Sequence, residues 1–365
     1  MKRMTNTIRP IAIHLPQFHP IPQNDTWWGK GFTEWTNVTK AKPLFNGHYQ
    51  PHLPADLGFY DLRLTESRLA QEAMAKEYGI HGFCYYHYWF NGQRLLHEPL
   101  DRKLSNPDED FPFMLCWANE NWTRRWDGEE NDILMKQDYN MEDHKNHARF
   151  LCRKFFDDKR YIKVAGKPVF VFYKTFLIPD IAAVLKVWRN EAISYGFPDL
   201  YLLCMDNFIK EDAVSVGFDA AIQFHPDYRY FNTMKPPYKD RLIRKLGLKE
   251  SFFYKHHVED YEQYNNRVKN NNCLVSSKVY PGITPGWDNT ARKTKDGIIF
   301  LNATPAKYKK ALHDSLAAYK PFSDDENFFF INAWNEWAEG NHLEPCQKWG
   351  LQYLEVTKQV LQNIQ

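Results

Sequence analysis

The segment Trp334-Asn335-Glu336-Trp337-Ala338-Glu339-Gly340 places two carboxylates three residues apart, with one indole before them and one between. Glycosyl transfer to water calls for such a pair, one group giving a proton to the leaving oxygen and the other acting as base or nucleophile. Indoles alongside exclude water, which raises the pKa of one carboxyl while its neighbour stays ionised. A solvated helix start would show the same spacing. The two tryptophans, a further Glu344, and the position just after the apolar run Phe328–Ala333 mark the segment out. Glu336 and Glu339 are the candidate catalytic residues.

The same change from apolar to polar-aromatic sequence recurs after other apolar runs. The first run leads into His14, Gln17 and His19, followed by Trp28, Glu34 and Trp35. The second ends in Tyr86, His87 and Trp89, and the third in Trp117, Asn119, Glu120 and Trp122. Later ends supply Tyr173, Asp206, His225, Trp287 and Asp288, and the last adds Trp334, Asn335 and Trp337. Sugars offer C–H faces that stack on aromatic rings and hydroxyls that need planar donors and acceptors. These residues are therefore the candidate substrate-binding set. Glu34 and Glu120 read equally well as structural ion pairs, and Arg124-Arg125 as an anion clamp or a solvated loop face.

Elements must bring these groups together. Eight apolar runs, at Ile11–Leu15, Gly82–Tyr86, Phe113–Trp117, Val169–Tyr173, Tyr201–Met205, Ala220–Phe224, roughly Val275–Tyr280 and Phe328–Ala333, suit parallel strands buried on both faces. Helix-period segments lie between them. Asp61 reads as the cap of a helix through Tyr78, with Leu62, Leu69, Ala73 and Met74 inward. Asp180 precedes a second helix, and Thr304-Pro305 gives a cap and a first-turn proline to a third. Tyr353, Val356, Val360 and Ile364 form the stripe of a last one. Eight strand–helix units predict an α/β chain forming one (β/α)8 TIM-type barrel over 1–365, with its catalytic groups at the C-terminal strand ends. A polar excursion over about 226–272 is expected after the sixth strand, as an insertion and not a separate domain.

Composition narrows the classes. Net charge is +2, from 47 basic and 45 acidic residues, which leaves no footprint for nucleic acid. No GxGxxG or GxxxxGK[ST] follows a strand, so no nucleotide cradle and no cofactor are expected. No CxxC or paired-His spacing suggests a metal, and Asp108-Glu109-Asp110, which precedes the third run, reads as a surface turn. The six cysteines are scattered, as reduced thiols would be. The start, Met1 to Thr7, lacks a signal-peptide apolar region and no stretch is long enough to span a bilayer, so a cytoplasmic chain without an integral membrane segment is expected.

The chain also resembles the WbsX-like family, the glycosyltransferases of bacterial surface-polysaccharide (O-antigen) clusters. The resemblance is carried by His14–Pro20, Trp27–Val38, Gly47–Pro54, Tyr85–Trp89, Cys116–Trp122, Pro285–Thr290 and Asn332–Glu339. More distantly, Glu-Trp-x-Glu-Gly is similar to the last motif of glycoside hydrolase family 99, the endo-α-mannosidases and endo-mannanases. That resemblance implies a retaining barrel enzyme in which Glu336 is base to the sugar 2-hydroxyl, through a 1,2-anhydro intermediate, and Glu339 is acid, then base. The expected function is a metal-independent glycoside hydrolase or transglycosylase acting on an O-antigen-type oligo- or polysaccharide or its lipid-linked precursor. A glycosyltransferase using an activated donor is the alternative within enzymes, and a non-catalytic glycan-binding protein the alternative outside them.

Overall fold

Eight strands close on one another in a ring, each in parallel with both neighbours. They are β1 (Arg9–His14), β2 (Gly82–Phe90), β3 (Phe113–Trp117), β4 (Lys167–Phe172), β5 (Tyr201–Met205), β6 (Ala220–Ile222), β7 (Val279–Tyr280 continuing as Gly282–Ile283) and β8 (Phe328–Ile331). The computed structural model describes residues 8–124, 129–247 and 252–364. The outer helices are α1 (Thr65–Glu77), α2 (Glu98–Ser105), α3 (Met141–Leu151), α4 (Ile181–Ser194), α5 (Ala213–Val216), α6 (Tyr261–Asn270), α7 (Pro305–Ala318) and α8 (Gln352–Ile364). The (β/α)8 barrel expected from the alternation is the fold observed.

Strand alternation sorts the apolar residues into two cores. Ile11, Ile13, Met114, Val169, Val171, Leu203 and Phe330 fill the barrel. Ala12, Phe83, Phe113, Phe170, Phe172, Leu202 and Phe329 face the helices, where Trp188 of α4 is fully buried among them.

Several expectations need correction. The seventh strand lies at 279–283, not Val275–Tyr280; Val275 and Ser276 instead donate their backbone N–H groups to Asp206. Within β7, Val279–Tyr280 pairs with β6 and Gly282–Ile283 with β8, and Pro281 between them, lacking an N–H, accepts from Phe330 N–H at 3.0 Å. Helix α1 begins at Thr65, because Asp61 is engaged by Arg63 at 2.6 Å and caps nothing. Its buried face is Arg68, Gln71, Glu72 and Ala75, with Leu69 and Met74 half-buried and Ala73 exposed. That polar face is buried because each group is paired: Arg68 forks onto Glu109 at 2.6 and 2.8 Å, and Glu72 takes Lys103 at 2.5 Å. Glu109 is thus a fully buried ion-pair partner and not part of a surface turn.

Asp180 and Thr304 do cap α4 and α7, accepting from the N–H groups of Ala183 and Lys307. Helix α8 buries Tyr353, Leu354, Thr357, Val360 and Leu361, a stripe displaced from the one expected. Between β6 and β7 the chain forms a turn of 3-10 helix at Tyr228–Tyr230, helices at Tyr238–Lys245 and Phe252–Lys255, a strand at His257–Asp260 paired in parallel with Ile298–Leu301, and then α6. All six cysteines are free. Among the described residues no helix is long and apolar enough to cross a membrane.

Candidate active site

Beyond β8 the chain folds back as a tight hairpin, Asn335–Glu336 pairing antiparallel with Asn341–His342 around a turn of 3-10 helix at Trp337–Glu339. Gly340 closes it at φ +57°, where a Cβ would stand 3.0 Å from that of Asp288. Asp288 N–H donates to the Glu339 carbonyl at 2.6 Å, which joins the hairpin to the loop after β7. Asn335 ties it to the end of β1, accepting from Leu15 N–H at 2.7 Å and donating to Leu15 C=O at 3.0 Å.

The β7 loop carries Arg292, whose guanidinium meets three carboxylates. It donates to Glu34 at 2.5 Å, to Glu339 at 2.8 Å and to Glu336 at 3.2 Å. Glu34, wholly buried, also accepts the Ala338 N–H at 3.0 Å, so it anchors both the guanidinium and the hairpin from behind. One planar guanidinium thus bonds both Glu336 and Glu339 and holds the two carboxylates side by side.

Burial sets the electrostatics. It pushes the Glu336 carboxyl well above the usual range, the Glu339 charge adds to this, and Arg292 opposes it. Burial raises Glu339 too, with Arg292 the main opposing charge. Burial works against the Arg292 cation, yet the three carboxylates hold it protonated more firmly than usual. Three anions around one cation favour a shared proton on the Glu336–Glu339 pair, which titrates as a unit.

Both carboxylates open on a cleft of about 360 Å³ at the C-terminal end of the barrel. Tyr86 and Tyr88 of β2, Tyr173, Trp28, Trp122 and Trp287 give it aromatic walls, with Gln17 and Glu120 among the polar groups. Lys174 reaches Glu120 at 2.5 Å.

Of the residues expected at the site, Gln17, Trp28, Tyr86, Glu120, Trp122, Tyr173, Trp287, Glu336 and Glu339 line this cleft. The others do not, largely because alternate side chains of a strand point to opposite faces. His87 turns outward to His147 of α3 at 2.9 Å, and Trp89 to Asp143. Trp117 stacks towards Trp188, and Asn119 is spent on the backbone of Lys174. His14 faces Gln71 of α1, and His19 is buried outside the lining of the cleft. Asp206 pairs with Arg229, and His225 contacts the Tyr264 hydroxyl at 2.6 Å. Trp334 packs on Phe83, and Trp35 on Trp337. Trp337 donates to Glu344 at 2.6 Å and stacks on His342. Glu34, Asp288 and Asn335 act one layer behind the cleft.

Arg292, Tyr88 and Lys174 were missed by the motif reading. Tyr88 was legible two residues on from Tyr86. Arg292 lies in a loop with no periodicity to point at it. Arg125 lies outside the described residues, and of Arg124 only its place in the strand Trp122–Arg124 is described.

A parallel barrel with paired carboxylates beneath an aromatic cleft at its C-terminal face has the build of a carbohydrate-active enzyme. The chain belongs to the WbsX family, matching the family described as "Glycosyltransferase WbsX" over residues 10–357. It is 39% identical over 357 residues to an uncharacterized protein WxcX of Xanthomonas campestris pv. campestris (strain B100), covering 96% of this chain and 49% of that one. The chain thus spans about half the length of the curated relatives it matches. In fold it is similar to a glycoside hydrolase-like protein (TM-score 0.59, 14% identity, 98% of this chain and 95% of that one). It is also similar to the GH99 endo-alpha-mannosidase from Bacteroides thetaiotaomicron (TM-score 0.55, 12% identity, 98% and 97%).

Proposed function

We propose that this chain is a retaining glycoside hydrolase or transglycosylase acting on an O-antigen-type bacterial glycan, with Glu336 and Glu339 as its catalytic pair. The observation that carries the reading is Arg292, which gathers both carboxylates at the floor of an aromatic cleft. A cluster buried for stability alone would be sealed. Here the Glu336 and Glu339 side chains keep 7% and 19% exposure on the cleft side of the barrel.

In the scheme implied by the family 99 resemblance, Glu339 gives its proton to the glycosidic oxygen as the C1–O bond breaks. Glu336 takes the proton of the 2-hydroxyl, whose oxygen closes onto C1. Water then attacks C1 and gives a proton to Glu339, while Glu336 returns its proton to O2 and the starting states are restored. The scheme requires the pair's shared proton on Glu339, with Glu336 ionised to act on the weakly acidic hydroxyl. Both proton transfers are supplied by the pair, so the scheme invokes no metal. The family description favours a second reading, in which the same carboxylates serve a transferase.

Turnover of a panel of aryl α-disaccharides in water, with no activated donor, tests the first reading. Glu336→Gln and Glu339→Gln are each expected to lose at least about 10²-fold in kcat while still binding the glycan. Activity appearing only with a nucleotide-sugar donor would establish the transferase instead. Variants that match the parent would remove the pair from the mechanism.

A further inference from the structure

The Gly47–Pro54 segment, prominent in the sequence, takes no part in the cleft. It lines a second cavity of about 400 Å³ on the other side of the β7 loop, within the size range of small-molecule sites. Trp287 borders both spaces. We propose that this cavity is a second, non-catalytic binding site for a neutral saccharide unit; the proposal rests on reading the cleft as glycan-processing.

The hydrogen-bond order inside the cavity fixes what it offers. His342 Nδ1 lies 2.8 Å from the Glu344 carbonyl, which only accepts, so Nδ1 carries the proton. Burial depresses the pKa of His342 to about 4, so the ring is neutral and its Nε2 is an acceptor. His52 Nδ1, 3.0 Å away, must then be the donor. Burial holds His52 neutral as well, which leaves its Nε2 as the acceptor nitrogen of the ring. On the opposite wall His48 is fixed in the other tautomer. Its Nδ1 accepts from Leu44 N–H at 3.0 Å and its Nε2–H donates to Asp288 at 2.5 Å.

The remaining lining is aromatic and donor-bearing. Tyr49, Trp349 and Tyr353 supply ring faces, and Lys348 lies over the first two, its ammonium 4.5 and 5.0 Å from their centroids. The Trp287 indole N–H has no hydrogen-bond partner among the described residues. A phosphate or uronate would be drawn by Lys348 but would meet the His52 acceptor nitrogen and the Asp288 carboxylate, both repulsive. A neutral sugar has the hydroxyl donors for His52, the acceptors for Lys348, and C–H faces for the rings.

Titration calorimetry with α-mannobiose, maltose and cellobiose, and with inorganic phosphate and glucuronate as ionic arms, tests this. At least one disaccharide should bind at two sites per chain. Trp349→Ala and, independently, His52→Phe should each leave one site, with thermal unfolding confirming that they fold and turnover of a short aryl glycoside staying within about twofold of the parent. A single site in the parent, two sites kept in both variants, or an ionic arm bound where the disaccharides are not would overturn the proposal. Two bound disaccharides in a parent without turnover would sink the reading of the cleft and leave the second site standing.

Discussion

Arg292 is one cation facing Glu34, Glu336 and Glu339, so it decides how many of them are ionised. Replacing it with Gln removes the charge and leaves a shorter amide donor in place of the guanidinium fork. Without that charge the pair's pKa values rise further, because Arg292 is the main group opposing their burial. The limb of kcat/KM that requires an ionised carboxylate should therefore move to higher pH in Arg292→Gln, with a loss of about 10²-fold or more at neutral pH. A pH–rate profile checks both. An unshifted limb with reduced rate would mean that Arg292 holds the hairpin in shape and does not tune the pair.

At the scale of elements, Glu344 shows how α1 and the β8 hairpin are joined. Its carboxyl accepts from Gln71 of α1 at 2.6 Å, from the Tyr60 hydroxyl at 2.8 Å and from the Trp337 indole at 2.6 Å. Burial pushes it up to about 7 in spite of those donors. The folded protein then keeps a proton that the unfolded chain releases near its ordinary value of 4.5. Stability should fall as pH rises from about 4.5 to about 7, by on the order of 3 kcal/mol from this group, with Glu336 and Glu339 adding in the same direction. Chemical denaturation across that window should show a shallower slope for Glu344→Gln. An unchanged slope would mean that the three donors keep Glu344 ionised in the fold.

The same elements explain what the sequence made legible. The barrel was, because eight apolar runs cannot be buried on both faces in many other ways. The segment of the proposed catalytic pair also stood out, because two glutamates and two tryptophans share seven residues. The cleft was only half legible. Reading every polar aromatic at a strand end as inward ignored the period of two, which sends Tyr86 and Tyr88 in but His87 and Trp89 out. The polar inner face of α1 was hidden for a different reason. Arg68 and Glu72 find Glu109 and Lys103 only through the fold, and hydrophobic periodicity carries no trace of such pairs.

For the molecule as a whole, closure depends on β7, the shortest link in the ring of hydrogen bonds. Its two halves bond different neighbours on either side of Pro281, and Gly282 lies against Gln223, just past the end of β6. A Cβ at position 282 would stand 2.1 Å from the Gln223 carbonyl oxygen, a backbone atom that no side-chain rotation can clear. Gly282→Ala must therefore separate β6 from β7 or move β7 against β8. An open barrel edge exposes unpaired backbone groups and loosens the inner core, so a cost of about 3 kcal/mol, the upper end for overpacking, is expected. Urea denaturation should show a lower midpoint. Because β8 carries the Glu336–Glu339 hairpin and β7 the Arg292 loop, cleft binding should weaken in the same variant before global unfolding sets in. If Gly282→Ala kept both its midpoint and its glycan affinity, the seam would not be what positions the two halves of the site.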